Sequence, residues 1–127
     1  MDRTDETAAD AATEAEVIRA GALEIRPAEG LASARGQVLS LSVREFGVLS
    51  EMARSEGRIV RREELYERIW GTPLRPGDRT IDVYVRRLRV KLSAALPGCS
   101  FIHTHVGFGY RFAPEGEASV ANGAGPA

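Results

Sequence analysis

The segment from Asp78 to Pro97 constrains this chain more than any other. Ile81, Tyr84, Val85, Leu88 and Leu92 recur at the spacing that puts side chains on one face of an α-helix. Asp78 is a good N-cap for that helix, and Pro97-Gly98 stops it. With the apolar stripe committed to a core, the opposite face carries Arg79, Val83 and Arg86. Thr80 and Arg87 lie along one edge, and Arg89 and Lys91 on the flanks. From Arg79 to Lys91 there are five basic residues against one acidic residue, Asp82. Arginine forks reach guanine edges or phosphates, and an apolar Val83 can meet a thymine methyl, so such a helix can lie in a DNA major groove. A solvated basic face on an ordinary amphipathic helix has the same composition, and the helix alone does not choose between the two.

Its surroundings narrow the choice. Ser42-Val43-Arg44-Glu45 has the form of a capping box, in which Ser42 accepts from the Glu45 N–H and the Glu45 side chain reaches back. Behind it Phe46, Leu49 and Ala53 share a helical face, and Gly57 marks where that helix ends. A second helix is expected from near Arg62, with Leu65 and Ile69 one turn apart and Trp70 at its end. The loop GTPLRPGD, with two prolines and two glycines, cannot continue it. Before the helices, Leu23 and Ile25 alternate with polar residues, and short runs at 31–34 and 37–41 meet across Arg35-Gly36, predicting a small antiparallel sheet. After them, two β-rich runs between Phe101 and Phe112 surround Gly107 and Gly109, predicting a hairpin. The expected fold is α+β: a winged helix-turn-helix with a small N-terminal antiparallel sheet, three helices and a C-terminal β-hairpin wing.

A chain of 127 residues, 43% of them hydrophobic, suits one domain with its own core. Residues 1–16 read as a disordered acidic tail, 17–114 as the folded domain and 115–127 as a second disordered tail. The net charge of −1 hides a segregation. Residues 1–34 hold three basic against eight acidic residues, a net −5, whereas 35–112 hold fourteen basic against eight acidic, a net +6. That asymmetry suggests an anionic partner. No apolar run is long enough for a transmembrane helix, and the acidic start is not a signal peptide, so a cytoplasmic protein is the default. A single cysteine, Cys99, fits a reducing compartment.

The combination of Glu45-Phe46, Trp70, Arg79-Thr80 with Asp82-Val83, Arg87-Leu88-Arg89 and Gly107-x-Gly109-Tyr110 resembles the effector domain of OmpR/PhoB-type response regulators, over roughly Leu23 to Phe112. The resemblance implies that the helix from Arg79 is the recognition helix. It further implies that Arg79, Thr80, Tyr84, Arg86, Arg87 and Arg89 fall at phosphate- or base-contacting positions. By the same resemblance, Trp70 approaches the DNA backbone, Thr104 contacts phosphate, His105 and Gly107 belong to the wing, and residues 71–77 face RNA polymerase in some members. The implied function is sequence-specific binding of double-stranded DNA for transcription regulation, by two copies on repeated half-sites, with no cofactor and no metal. Two departures stand out. Val106 occupies the place of a wing arginine that reaches the minor groove, so either His105 or Arg111 substitutes or the wing binds more weakly. Arg61 stands where a capping serine is common. The receiver domain of about 120 residues that response regulators carry has no counterpart here, which leaves open an excised domain or a natural stand-alone protein.

Other functions fit less well. Cys99, His103 and His105 offer three possible metal ligands without a fourth nearby. No Gly-x-Ser-x-Gly elbow or glycine-rich phosphate loop points to an enzyme. The competing reading is a winged helix that binds protein, for instance RNA polymerase, with little DNA binding of its own; such modules lose the basic recognition face that this chain keeps.

Overall fold

A computed structural model of the chain describes residues 16–116. The acidic segment and tail expected to be disordered otherwise lie outside the described residues. The fold opens with four antiparallel strands in sequential order: β1 (Ile18–Ala20), β2 (Leu23–Arg26), β3 (Leu31–Ala34) and β4 (Gln37–Val38). Three helices follow: α1 (Val43–Arg54), α2 (Arg62–Trp70) and α3 (Thr80–Ala95). A short strand, β5 (Ile59–Val60), lies between α1 and α2, and the chain ends in the hairpin β6 (Cys99–His105) and β7 (Gly109–Gly116). This is the α+β winged helix-turn-helix expected from the sequence.

Several details differ from the sequence reading. β4 covers only Gln37–Val38, with Leu39 N still donating to Ala32 O at 2.8 Å, and does not run to Leu41. β1 and β5 are additional strands, and β5 turns the hairpin into a three-stranded sheet of order β5-β7-β6. β7 continues to Gly116, which pairs with Cys99, past the expected end of the hairpin at Phe112. Asp78 is not the N-cap of α3. Arg79 holds that position, and the Asp78 carboxylate accepts from the Thr80 backbone N–H at 2.8 Å. The expected function is kept, because a carboxylate still satisfies a free donor of the first turn.

The core lies where the two sheets and three helices meet. Ala20, Leu23, Ile25, Ala32 and Ala34 of the first sheet are buried with Val48, Leu49 and Met52 of α1. Ile81, Val85, Leu88 and Leu92 of α3 are buried, as are Leu65 of α2 and Phe101, Tyr110 and Phe112 of the hairpin. Burying each large apolar side chain contributes about 1.5–3 kcal/mol, so the stripe on α3 fixes the rotation of that helix. Whatever faces outward on α3 is therefore determined by what faces inward.

The α1 capping box forms as read. Glu45 N donates to Ser42 Oγ at 3.1 Å and Ser42 N donates to Glu45 Oε1 at 2.9 Å. Glu45 has a second role, since Lys91 of α3 donates to its carboxylate at 2.7 Å and to Ser40 O at 2.7 Å. Burial alone would push the Glu45 carboxyl up. The Lys91 hydrogen bond, the Ser42 N–H and the charges of Lys91 and Arg87 outweigh it and hold the group below the ordinary carboxylate value. α1 and α3 are thereby joined by an ion pair that is buried on the Glu45 side and partly exposed on the Lys91 side.

Candidate nucleic-acid interface

With its apolar stripe buried, α3 presents a strip formed by Arg79, Val83, Arg86 and Arg87 to the outside. Val83 is 43% exposed between the arginines. Arg86 and Arg87 are exposed and have no ion-pair partner among the described residues. An unpaired, solvated guanidinium is ready to exchange water for phosphate or a base edge at little cost.

The wing borders one edge of this strip. Arg89 donates through Nε and Nη2 to Ile102 O at 3.2 and 3.0 Å, and through Nη2 to Thr104 Oγ1 at 2.7 Å. Nearer the start of the helix, Tyr110 of β7 donates its phenolic hydrogen to Asp82 Oδ1. Asp82 Oδ2 also takes Arg62 Nη1 at 2.9 Å and Arg79 Nε at 2.6 Å. Burial would raise the Asp82 carboxyl, but the Tyr110 hydroxyl and the Arg62 and Arg79 charges hold it below its ordinary value. One carboxylate thus ties α2, α3 and the wing together and lines a groove with Thr104 and the wing turn. Thr80 is engaged too, donating its hydroxyl to Asp78.

The wing turn is closed by Phe108 N donating to His105 O at 2.8 Å, with Gly107 at φ +84. Gly109, at φ +147, passes so close to β5 that a Cβ would lie 2.2 Å from Val60 O. No side chain fits there. The tip is apolar: Val106 is 87% exposed and Phe108 72%. His105 Nε2 accepts from Arg111 Nε at 3.1 Å, so the two residues considered as substitutes for the missing arginine hold each other. His103 is bound to Ala113 O through Nε2, at 2.8 Å. Among the described residues no group of three His, Cys, Asp or Glu could hold a metal ion.

Aromatic rings border the opposite edge. Trp70 stacks on Tyr66 with centroids 4.8 Å apart and planes 4° from parallel. Its ring also lies 5.6 Å from that of Tyr84 on α3. The Arg87 guanidinium sits 5.3 Å from the Tyr84 centroid. Trp70 is half-buried, serving both as a brace between α2 and α3 and as surface.

The structure therefore gathers Trp70, Arg79, Thr80, Val83, Tyr84, Arg86, Arg87, Arg89 and Thr104 around one face, with His105 and Gly107 in the adjoining wing. Within that set the roles divide: Arg86 and Arg87 are free of ion pairs, whereas Arg89 braces the wing and Thr80 closes the cap. Lys91, read as a flank of the basic face, is drawn onto Glu45 instead. Sequence reasoning overlooked Arg44, Arg62 and the joining role of Asp82. Their partners lie twenty or more residues away, at a separation no local pattern reveals.

The family model described as "Transcriptional regulatory protein, C terminal" matches residues 36–112. Among curated proteins, the sensory transduction protein RegX3 of Mycobacterium leprae is 32% identical over 95 residues, covering 75% of this chain and 48% of that protein. The transcriptional regulatory protein CreB of Escherichia coli is 36% identical over 98 residues, covering 77% and 43%. The chain thus spans less than half the length of either. The DNA-binding domain of CpxR from E. coli superposes with a TM-score of 0.71 at 33% identity, covering 78% of this chain and 97% of that one. The Klebsiella pneumoniae RstA DNA-binding domain, solved in complex with the RstA box, gives 0.69 at 34% identity, covering 77% and 97%. The chain belongs to the family of transcriptional regulatory protein C-terminal domains, the effector domains of OmpR/PhoB-type response regulators.

Proposed function

We propose that this chain binds double-stranded DNA sequence-specifically and so regulates transcription, with α3 in the major groove and the wing at the backbone or minor groove. The observation that carries this reading is the outward strip of α3. Arg86 and Arg87 stand there without ion-pair partners beside an exposed Val83, on a helix whose rotation is fixed by its buried stripe. The likeness to an RstA domain solved on its DNA box supports it.

A single small module buries only about 600–1,000 Å² on DNA, so useful affinity calls for two copies on repeated half-sites. The exposed loop over residues 71–77 is the surface proposed for RNA polymerase. The setting is the cytoplasm, where the DNA is, and no described helix is long and apolar enough to cross a membrane.

Selection of bound sequences from a random duplex pool, followed by footprinting, tests the reading. The expected result is an enriched motif, present as two spaced copies, with protection in the major groove. Recovery of no motif, together with equal affinity for random duplexes, would contradict it.

A further inference from the structure

α1 contributes none of the residues gathered on the candidate interface, yet it sends one arginine to its edge. Arg44, at the second position of α1, donates from Nη1 to Ile69 O at 2.9 Å, across to the last turn of α2. Its guanidinium carbon lies 4.6 Å from the centroid of the Trp70 ring. Two independent contacts thus fix one exposed side chain, which would otherwise sample many rotamers. Of the five N–H donors of a guanidinium, one is used.

Arg44 also lacks the carboxylate partner that several other surface arginines of this molecule have. Arg54, Arg58 and Arg68 are each ion-paired with a glutamate. No carboxylate among the described residues pairs with Arg44, Arg86 or Arg87. These cations are connected by rings: Arg44 over Trp70, Trp70 beside Tyr84, and Tyr84 under Arg87. The row starts on α1, passes the end of α2 and finishes on the outward strip of α3. It lies on the edge of α3 away from the wing.

We propose that Arg44 is a DNA-backbone contact, binding a phosphate on the side of the major groove opposite the wing, with the Trp70 ring holding its guanidinium in place. This rests on the DNA-binding reading above and adds to it. The domain would then grip the backbone on both sides of the groove that α3 enters, from Thr104 on one edge and from Arg44 on the other. A guanidinium held over an indole keeps donors free for contact with phosphate. Holding it there costs little on binding, because the contact exists beforehand.

The test uses the full chain and the duplex recovered by selection. Binding is measured over a salt series for wild type, Arg44→Gln and Arg44→Lys. Each phosphate neutralised adds about 0.9 to the slope of log affinity against log salt. Arg44→Gln keeps a donor for Ile69 O but removes the charge. Its slope should fall by about one phosphate equivalent, and its deficit relative to wild type should shrink about threefold between about 50 and 200 mM salt. Arg44→Lys should retain the slope. Neutral methylphosphonates placed singly along the backbone give a second readout: one position outside the wing side should weaken wild type and leave Arg44→Gln unaffected. Trp70, the only tryptophan in the chain, reports the same place by fluorescence, which should change on DNA addition. Equal slopes for wild type and Arg44→Gln, with identical methylphosphonate patterns, would overturn the assignment while leaving DNA binding intact. Absence of any salt-dependent binding by wild type would overturn both.

Discussion

Arg89 of the recognition helix and Thr104 of the wing are joined directly, guanidinium Nη2 to hydroxyl Oγ1 at 2.7 Å. The same guanidinium also holds Ile102 O, so β6 is fastened to α3 by one side chain. This fixes where the wing sits relative to the strip that would enter the groove.

Arg89→Ala should therefore act through the wing. Losing these charge-assisted bonds at a partly exposed site should cost about 1–2 kcal/mol of stability. Arg89→Lys should not restore it, because an ammonium cannot bridge a carbonyl and a hydroxyl as a fork does. Thermal melts of the two variants check this. Wild-type melting by Arg89→Ala would show that the wing is held by other contacts.

The Tyr110–Asp82 bond gives a pH signature. Burial, then the Asp82 carboxylate, push the Tyr110 phenol up to about 12 from 10.0. A folded-state value raised above the unfolded one contributes stability that is complete below about pH 10 and is lost as pH rises through about 12. An ultraviolet titration should show a late phenolate transition that Tyr110→Phe removes and Asp82→Asn shifts down. A Tyr110 transition at its ordinary value in the folded protein would mean that the bond does not form.

The wing tip carries no free cation. Val106 is almost fully exposed there, and Arg111 is turned onto His105 and Glu115. Val106→Arg should tighten DNA binding and steepen the salt dependence by about one phosphate equivalent. Binding isotherms over a salt series check this. An unchanged slope would place the tip away from DNA.

What was legible in the sequence was local. The Ser42/Glu45 capping box depends on residues three apart, and the α3 stripe repeats within a single helix, so both could be read along the chain. β1 and β5 could not. They are three and two residues long, and β5 exists only because Val60 meets Tyr110 fifty positions later. The face of α3 was readable, but not which of its cations are already engaged. Lys91 goes to Glu45 and Arg89 to the wing because the fold brings partners to them, while no carboxylate among the described residues pairs with Arg86 or Arg87. Asp78 was displaced by one position because an aspartate can satisfy the first turn of a helix from just outside the cap as well as from within it.

The most direct test of the account is the affinity of an Arg86→Ala, Arg87→Ala double variant for the selected duplex. Both side chains are exposed and neither is part of the buried core, so circular dichroism melts should stay close to wild type. Binding should weaken by about 2–4 kcal/mol, with a smaller loss on random DNA. Unchanged affinity in a protein that melts normally would contradict the assignment of α3 as the recognition helix.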